Sequence, residues 1–154
     1  MKGFIYSFKS YDDLSKTELF DIFFLRQEVF VVEQNCAYQD ADLKDKVSYH
    51  LMAYSNHILI AYLRIIPPGI SYKEPSIGRV VTSINYRGKG YAKNLMQFAI
   101  QKVNYIYEGS NIRISAQEYL IPFYEALHFK VIGNIYLEDD IPHIQMLYSN
   151  SSIS

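Results

Sequence analysis

RVVTSINYRGKGYA, residues 79–92, carries a β-rich apolar stretch into a segment with two glycines and two cations. Behind it Ala92, Leu95, Met96, Ala99, Val103 and Ile106 recur at three- and four-residue spacing, the stripe of a helix with one buried face. The unit therefore reads as strand, glycine loop and helix. The first amides of such a helix lack internal partners and its dipole is positive there, so Gly88 and Gly90 let an anion come close to those N–H groups. Arg87, Lys89 and Lys93 add charge around the same spot, and phosphate is the natural ligand. The plain alternative is a tight turn with solvated cations.

Two familiar phosphate loops fail against the spelling. A Walker loop needs Gly-Lys followed by Ser or Thr, whereas Lys89 is followed by Gly90. A dinucleotide fingerprint needs a third glycine where Lys93 stands, and it opens a βαβ unit, whereas this loop follows three expected strands.

Outward from the loop, the chain alternates short β-rich runs with helical patterns. FIYSF suggests an opening strand. Ser15-Lys16-Thr17-Glu18 matches a capping box, so a helix should start near Lys16, with Leu19, Ile22, Phe23, Arg26 and Val29 on its core face. FVVEQ continues past its end. YHLMAYS and ILIAYLRII read as a hairpin about Asn56-His57, and SIGRVVTS is the strand before the loop. NIRISAQ alternates as a strand, LIPFYEALHF reads as a short helix, and KVIGNIY and HIQMLY close the chain as strands; a frayed tail is expected at 151–154.

The 154 residues fit one domain, placed at 1–150, and a composition of 49% hydrophobic and 20% charged residues is globular. Fifteen tyrosines and nine phenylalanines supply a large buried area. A formal net charge of −1 gives no general attraction to nucleic acid or an anionic membrane, so neither is an expected partner. One cysteine, Cys36, cannot form an internal disulfide and is expected to be inert. With neither a secretory leader nor a long apolar run in sight, a cytoplasmic protein is expected.

The spelling Arg87-x-x-Gly90-x-Ala92 resembles the acyl-CoA pyrophosphate loop of the GNAT N-acetyltransferase superfamily, and FYEALHF at 123–129 resembles a short helix that follows it there. FVVEQNCAYQDAD and EDDIPHIQM look like the ElaA-type branch, which extends the resemblance over nearly the whole chain. Two departures stand out: His128 where glycine is usual, and an acidic loop without the branch's glycine. The resemblance implies an α/β (α+β) fold, a mixed and mostly antiparallel sheet with helices on both faces. It also implies a bulged strand before the loop and two central parallel strands that splay apart.

On that resemblance acetyl-CoA is the cosubstrate, without a metal. Val80, Val81 and Thr82 would pair with its pantetheine arm, and Arg87, Gly88, Lys89, Gly90, Tyr91, Ala92 and Lys93 would hold its diphosphate. Tyr124 takes the place of the tyrosine beside the CoA sulfur, the general acid; the plain reading of it is a core aromatic. For the base, Glu33 and His143 are both candidates, and a water chain is the alternative to either. Asp40, Asp42 and Asp45, with His50 nearby, fail the spacing of a calcium loop, so no metal site is expected and their carboxylates are read as solvent-facing.

The expected reaction is direct acetyl transfer to a primary amine, either a small amine or a peptide amine. The rival is an acyl-CoA-binding sensor or interaction module on the same fold. Apolar strand edges near the C-terminus leave a homodimer open.

Overall fold

The capping box forms as its spelling demands. Glu18 N donates to Ser15 Oγ at 3.0 Å and Ser15 N to Glu18 Oε1 at 2.8 Å, starting α1 at Lys16–Arg26. These bonds belong to a computed structural model that describes residues 4–150; the tail expected at 151–154 lies outside them. Ile22, Leu25 and Val29 are buried, and Arg26, the polar exception on that face, is wholly buried. Past Arg26 the backbone widens into a π-helical stretch, Gln27–Glu33.

β1 (Phe4–Ser10), β2 (Tyr49–Ser55), β3 (Ile58–Ile66) and β4 (Ser76–Thr82) form an antiparallel sheet in that order. The β2–β3 turn is Asn56-His57, both residues at positive φ (48° and 65°), the backbone that a right-twisted two-residue hairpin needs. α2 (Tyr91–Ile106) follows β4, and β5 (Ile112–Gln117), α3 (Ile121–Glu125), β6 (Phe129–Glu138) and β7 (Ile141–Tyr148) complete the chain. A second antiparallel sheet runs β5-β7-β6.

Side-chain alternation assigns the helices to opposite faces. Leu51, Ala53, Ala61 and Leu63 join Leu95, Met96, Ala99 and Val103 of α2 in one core, which extends to Ile114, Phe129 and Met146 of the second sheet. Met52, Tyr62 and Val81 point the other way, onto Ile22, Leu25 and Val29. His128 stands just past α3 at φ 73°, so the residue in the usual glycine's place carries the left-handed backbone itself.

Candidate active site

β4 and β5 are the facing edges of the two sheets, tied at their starts where Arg113 N donates to Pro75 O at 3.1 Å. The Arg113 guanidinium braces that end, with Nε and Nη2 on Glu74 at 3.1 and 3.0 Å and Nη1 on Gln145 Oε1 at 3.0 Å. Beyond it, among the described residues, the two strands make no further ladder with one another. An unpaired strand edge in the interior is costly unless something completes its hydrogen bonds.

A bulge sharpens the opening. Tyr62 opposes Val81 and Arg64 opposes Gly78, so the residues between fall out of register. Arg79 occupies the bulge at φ 51°, a backbone costly for a long side chain. Between the strands lies a cleft of about 660 Å³, lined by the whole of β4, by Ser115 and Gln117 of β5, and by Glu33, Arg87, Tyr124 and His143 among others.

Of the residues singled out in the sequence, the cleft thus gathers Val80, Val81, Thr82, Arg87, Tyr124, His143 and Glu33. Residues 88–93 are outside its lining and follow on from Arg87 at the surface. Gly88 (φ 74°) and Gly90 (φ 86°) both need the left-handed backbone, and a Cβ at either would meet nothing within 4 Å, so conformation rather than crowding demands glycine here. Gly90 caps α2 without a side-chain bond, and Asn94 N reaches its carbonyl at 3.0 Å, so the amides of Tyr91, Ala92 and Lys93 precede the first intrahelical bond. The first turn holds no acid. The Tyr91 ring is core, packed on Phe4 and Tyr86, so only its main chain faces outward. Lys89 Nζ sits 5.6 Å above the Tyr86 ring.

Arg87, expected to meet a diphosphate, has an anionic partner within the chain. Its charge is not free for an anion: Nη1 and Nη2 donate to Glu33 Oε2 and Oε1 at 2.6 and 2.8 Å, and Nε donates to Thr82 O at 3.0 Å. The same bond engages Glu33, one of the two candidate bases. The Arg87 hydrogen bond holds the Glu33 carboxyl below the usual glutamate range, which makes it a poor proton acceptor in this state.

His143 is better placed. Nδ1 lies 2.7 Å from the Ile141 carbonyl, which can only accept, so Nδ1 carries the proton. In the neutral ring Nε2 therefore keeps its lone pair, and Glu138 Oε2 stands 3.4 Å away to stabilise an imidazolium. The other Glu138 oxygen accepts from Ser115 Oγ at 3.1 Å, Ser115 also bonds to the Tyr136 hydroxyl, and the Tyr136 ring stacks on His143. Tyr124 packs edge-on against Phe123 and Phe129, at centroid distances of 5.0 and 5.9 Å, and burial pushes its hydroxyl well above the usual tyrosine range. Such a phenol stays protonated at neutral pH and can donate. Cys36 Sγ lies 3.4 Å from Asp139 O at the rim.

A family model for the acetyltransferase (GNAT) domain matches residues 11–149. The chain belongs to the GNAT acetyltransferase family. Within it, protein ElaA of Escherichia coli is 35% identical over 138 residues, covering 88% of this chain and 90% of that one. A UPF0039 protein of Synechocystis is 41% identical over 144 residues, 93% of this chain and 94% of the relative. Among solved structures, an acyl-CoA N-acyltransferase from Pseudomonas aeruginosa superposes with a TM-score of 0.90 at 39% identity, covering 95% of this chain and 99% of that one. The fold is that of GNAT acyl-CoA N-acyltransferases, and the likeness to ElaA places the chain in the ElaA-type branch.

One feature of this GNAT chain had no local signal in its sequence. The acidic loop faces inward: Asp40 and Asp45 are buried, not solvated. Arg26 donates to Asp40 Oδ2 at 2.8 Å and to Asp45 Oδ1 at 2.6 Å, and Arg64 Nη1 lies 2.6 Å from Asp42 Oδ1 and 2.8 Å from Asp45 Oδ1. Arg79 reaches in from the bulge, donating from Nη2 to Asp40 O at 3.0 Å. Its Nε is 2.8 Å from Asp40 Oδ1 but badly aligned, a charge contact rather than a hydrogen bond. His50 completes the cluster, with Nε2 donating to Asp45 O at 2.8 Å and Nδ1 accepting from Tyr62 at 2.7 Å; burial lowers its pKa and keeps it neutral. Asp40 and Asp42 thus hold the arginine at the bulge that shapes the cleft, and Asp45 neutralises Arg26 and Arg64 beside it.

Proposed function

We propose that residues 1–150 act as one N-acyltransferase domain that moves the acetyl group of acetyl-CoA directly to a primary amine, on a small molecule or a peptide. The observation that carries this reading is the open β4 edge at Val80–Thr82, leading past Arg87 to the uncapped start of α2. A pantetheine arm carries amides that can pair with such an edge, and a diphosphate suits amides at a helix start. A main-chain N–H near Val81 is the donor we assign to the thioester carbonyl oxygen.

In the transfer, the amine nitrogen attacks the thioester carbon, the C–N bond forms and the C–S bond breaks. The net proton movement is one proton from nitrogen to sulfur. We assign its removal to His143 Nε2, whose lone pair is fixed by the Nδ1 bond to Ile141 and whose cation is met by Glu138. We assign its delivery to Tyr124, a buried phenol that is protonated at neutral pH and gives its proton to the departing thiolate, the loss being made good by the proton held on His143. No metal takes part in this scheme; among the described residues no cluster of three potential ligands occurs. No described helix is long and apolar enough to cross a membrane, and we infer a cytoplasmic enzyme.

The test is thiol release from acetyl-CoA across a panel of primary amines, beside calorimetric titration with CoA. Release with at least one amine is expected. Binding without release for every amine would make the domain an acyl-CoA sensor instead.

A further inference from the structure

Arg87 spends three of its N–H groups on two partners. Two go to Glu33, at the end of the π-helical stretch, and one goes to the carbonyl of Thr82, the last residue of β4. Glu33 and Arg87 both line the cleft, with side chains 36% and 37% exposed. Their bond therefore bridges the cleft where a pantetheine arm leaving β4 would turn toward the glycine loop. It also caps the terminal carbonyl of the edge on which that arm would lie.

A bound diphosphate would compete with Glu33 for Arg87. A carboxylate at hydrogen-bond distance from the guanidinium stands within a few ångströms of any phosphate drawn to the same cation, and like charges at that range repel. Exposed ion pairs are weak, so a diphosphate that brings two negative charges and further amide donors outcompetes a single carboxylate.

We propose that Arg87 has two alternative anionic partners, Glu33 in the empty chain and the coenzyme diphosphate in the loaded one, so that coenzyme binding releases the Glu33 carboxylate into the cleft. The inference rests on the acyl-CoA reading above. It makes Glu33 a group that the chain withholds until the donor is in place, after which a carboxylate faces the cleft that an ammonium acceptor enters. The depressed Glu33 carboxyl, lowered chiefly by the Arg87 hydrogen bond, agrees with the first state.

CoA itself is the probe. Calorimetric titration of the wild type, Glu33→Gln, Arg87→Gln and the double variant reads the competition. Glu33→Gln should bind CoA roughly two- to fivefold more tightly, because an exposed ion pair of ordinary strength no longer has to break. In the Arg87→Gln background the same change should bring a clearly smaller gain. In a chain carrying 13C-labelled glutamate carboxyls, the Glu33 signal should titrate at higher pH with saturating CoA than without it. Equal or weaker CoA binding by Glu33→Gln, an equal gain in both Arg87 backgrounds, or a Glu33 titration that CoA leaves unmoved would overturn the inference while leaving the acyl-CoA reading intact. A wild type that does not bind CoA would remove both. Thermal melts of the variants check folding, which an exposed glutamine at position 33 should not disturb.

Discussion

Asp45→Asn tests whether the inward-facing acidic loop is a structural anchor. Asp45 accepts from Arg26 Nη1 at 2.6 Å and Nη2 at 3.2 Å, from Arg64 Nη1 at 2.8 Å and from Asp42 N at 3.0 Å. Its side chain is 3% exposed and that of Arg26 is 0% exposed. Asparagine fits the space but removes a charge and an acceptor, leaving two buried guanidiniums short of a counter-ion. Breaking a buried pair in this way costs about 3–5 kcal/mol, a large share of the roughly 5–15 kcal/mol that holds a domain folded. At about 2–4 °C per kcal/mol for a chain of this size, the melting temperature should fall by roughly 6–20 °C. Urea unfolding followed by circular dichroism and calorimetric melting at pH 7 measure both. A loss under about 1 kcal/mol, the worth of a surface pair, would refute the anchor. Acid gives a second arm. Burial alone would raise the Asp45 carboxyl, but the hydrogen bond from Arg26 and the charges of Arg26 and Arg64 outweigh it, and the net shift is downward. Its contribution is then present above the unfolded carboxyl pKa and lost as pH falls through the lower folded one, so Asp45→Asn should flatten the acid limb of stability against pH.

Three further outcomes follow from single residues. Tyr124→Phe should lower kcat by about 10²-fold with little change in the KM for acetyl-CoA, and unchanged turnover would end its acid role. Gly90→Ala forces a Cβ onto φ 86° where nothing crowds it, so calorimetry should show weakened CoA binding through a distorted loop; unchanged affinity would detach the loop from the coenzyme. His128→Gly relieves φ 73° at an exposed position and should stabilise the chain by about 0.5–1 kcal/mol in urea. A loss of stability would show that the imidazole does more than cap α3.

What the sequence made legible was local. The capping box at Ser15, the Asn56-His57 turn, the α2 stripe and the two glycines at positive φ each depend on residues within a turn or two of one another. The misread parts depend on distant partners. Asp40 and Asp45 meet arginines 14 to 39 positions away, so a run of carboxylates with no periodicity looked solvated until Arg26, Arg64 and Arg79 were brought to it. Arg26 announced itself only as a charge on an apolar stripe, a spelling that long side chains also use at surfaces. Glu33 and Arg87 are 54 residues apart, and nothing near either foretells that each neutralises the other. The bulge itself was implied by the resemblance and Gly78 stands at its edge, but that Arg79 would take the positive φ had no local signal. The candidate site was therefore legible as strand, loop and tyrosine, whereas the pairing of Arg87 with Glu33 belongs to the tertiary fold.

The most direct measurement is a titration of the 15N-labelled chain with CoA, followed amide by amide. The largest shifts should fall on two connected stretches, Val80–Thr82 along the open edge of β4 and residues 88–93 at the start of α2. Saturable binding whose shifts cluster elsewhere, or no binding at millimolar CoA, would contradict the assignment of that edge and that helix start to a coenzyme.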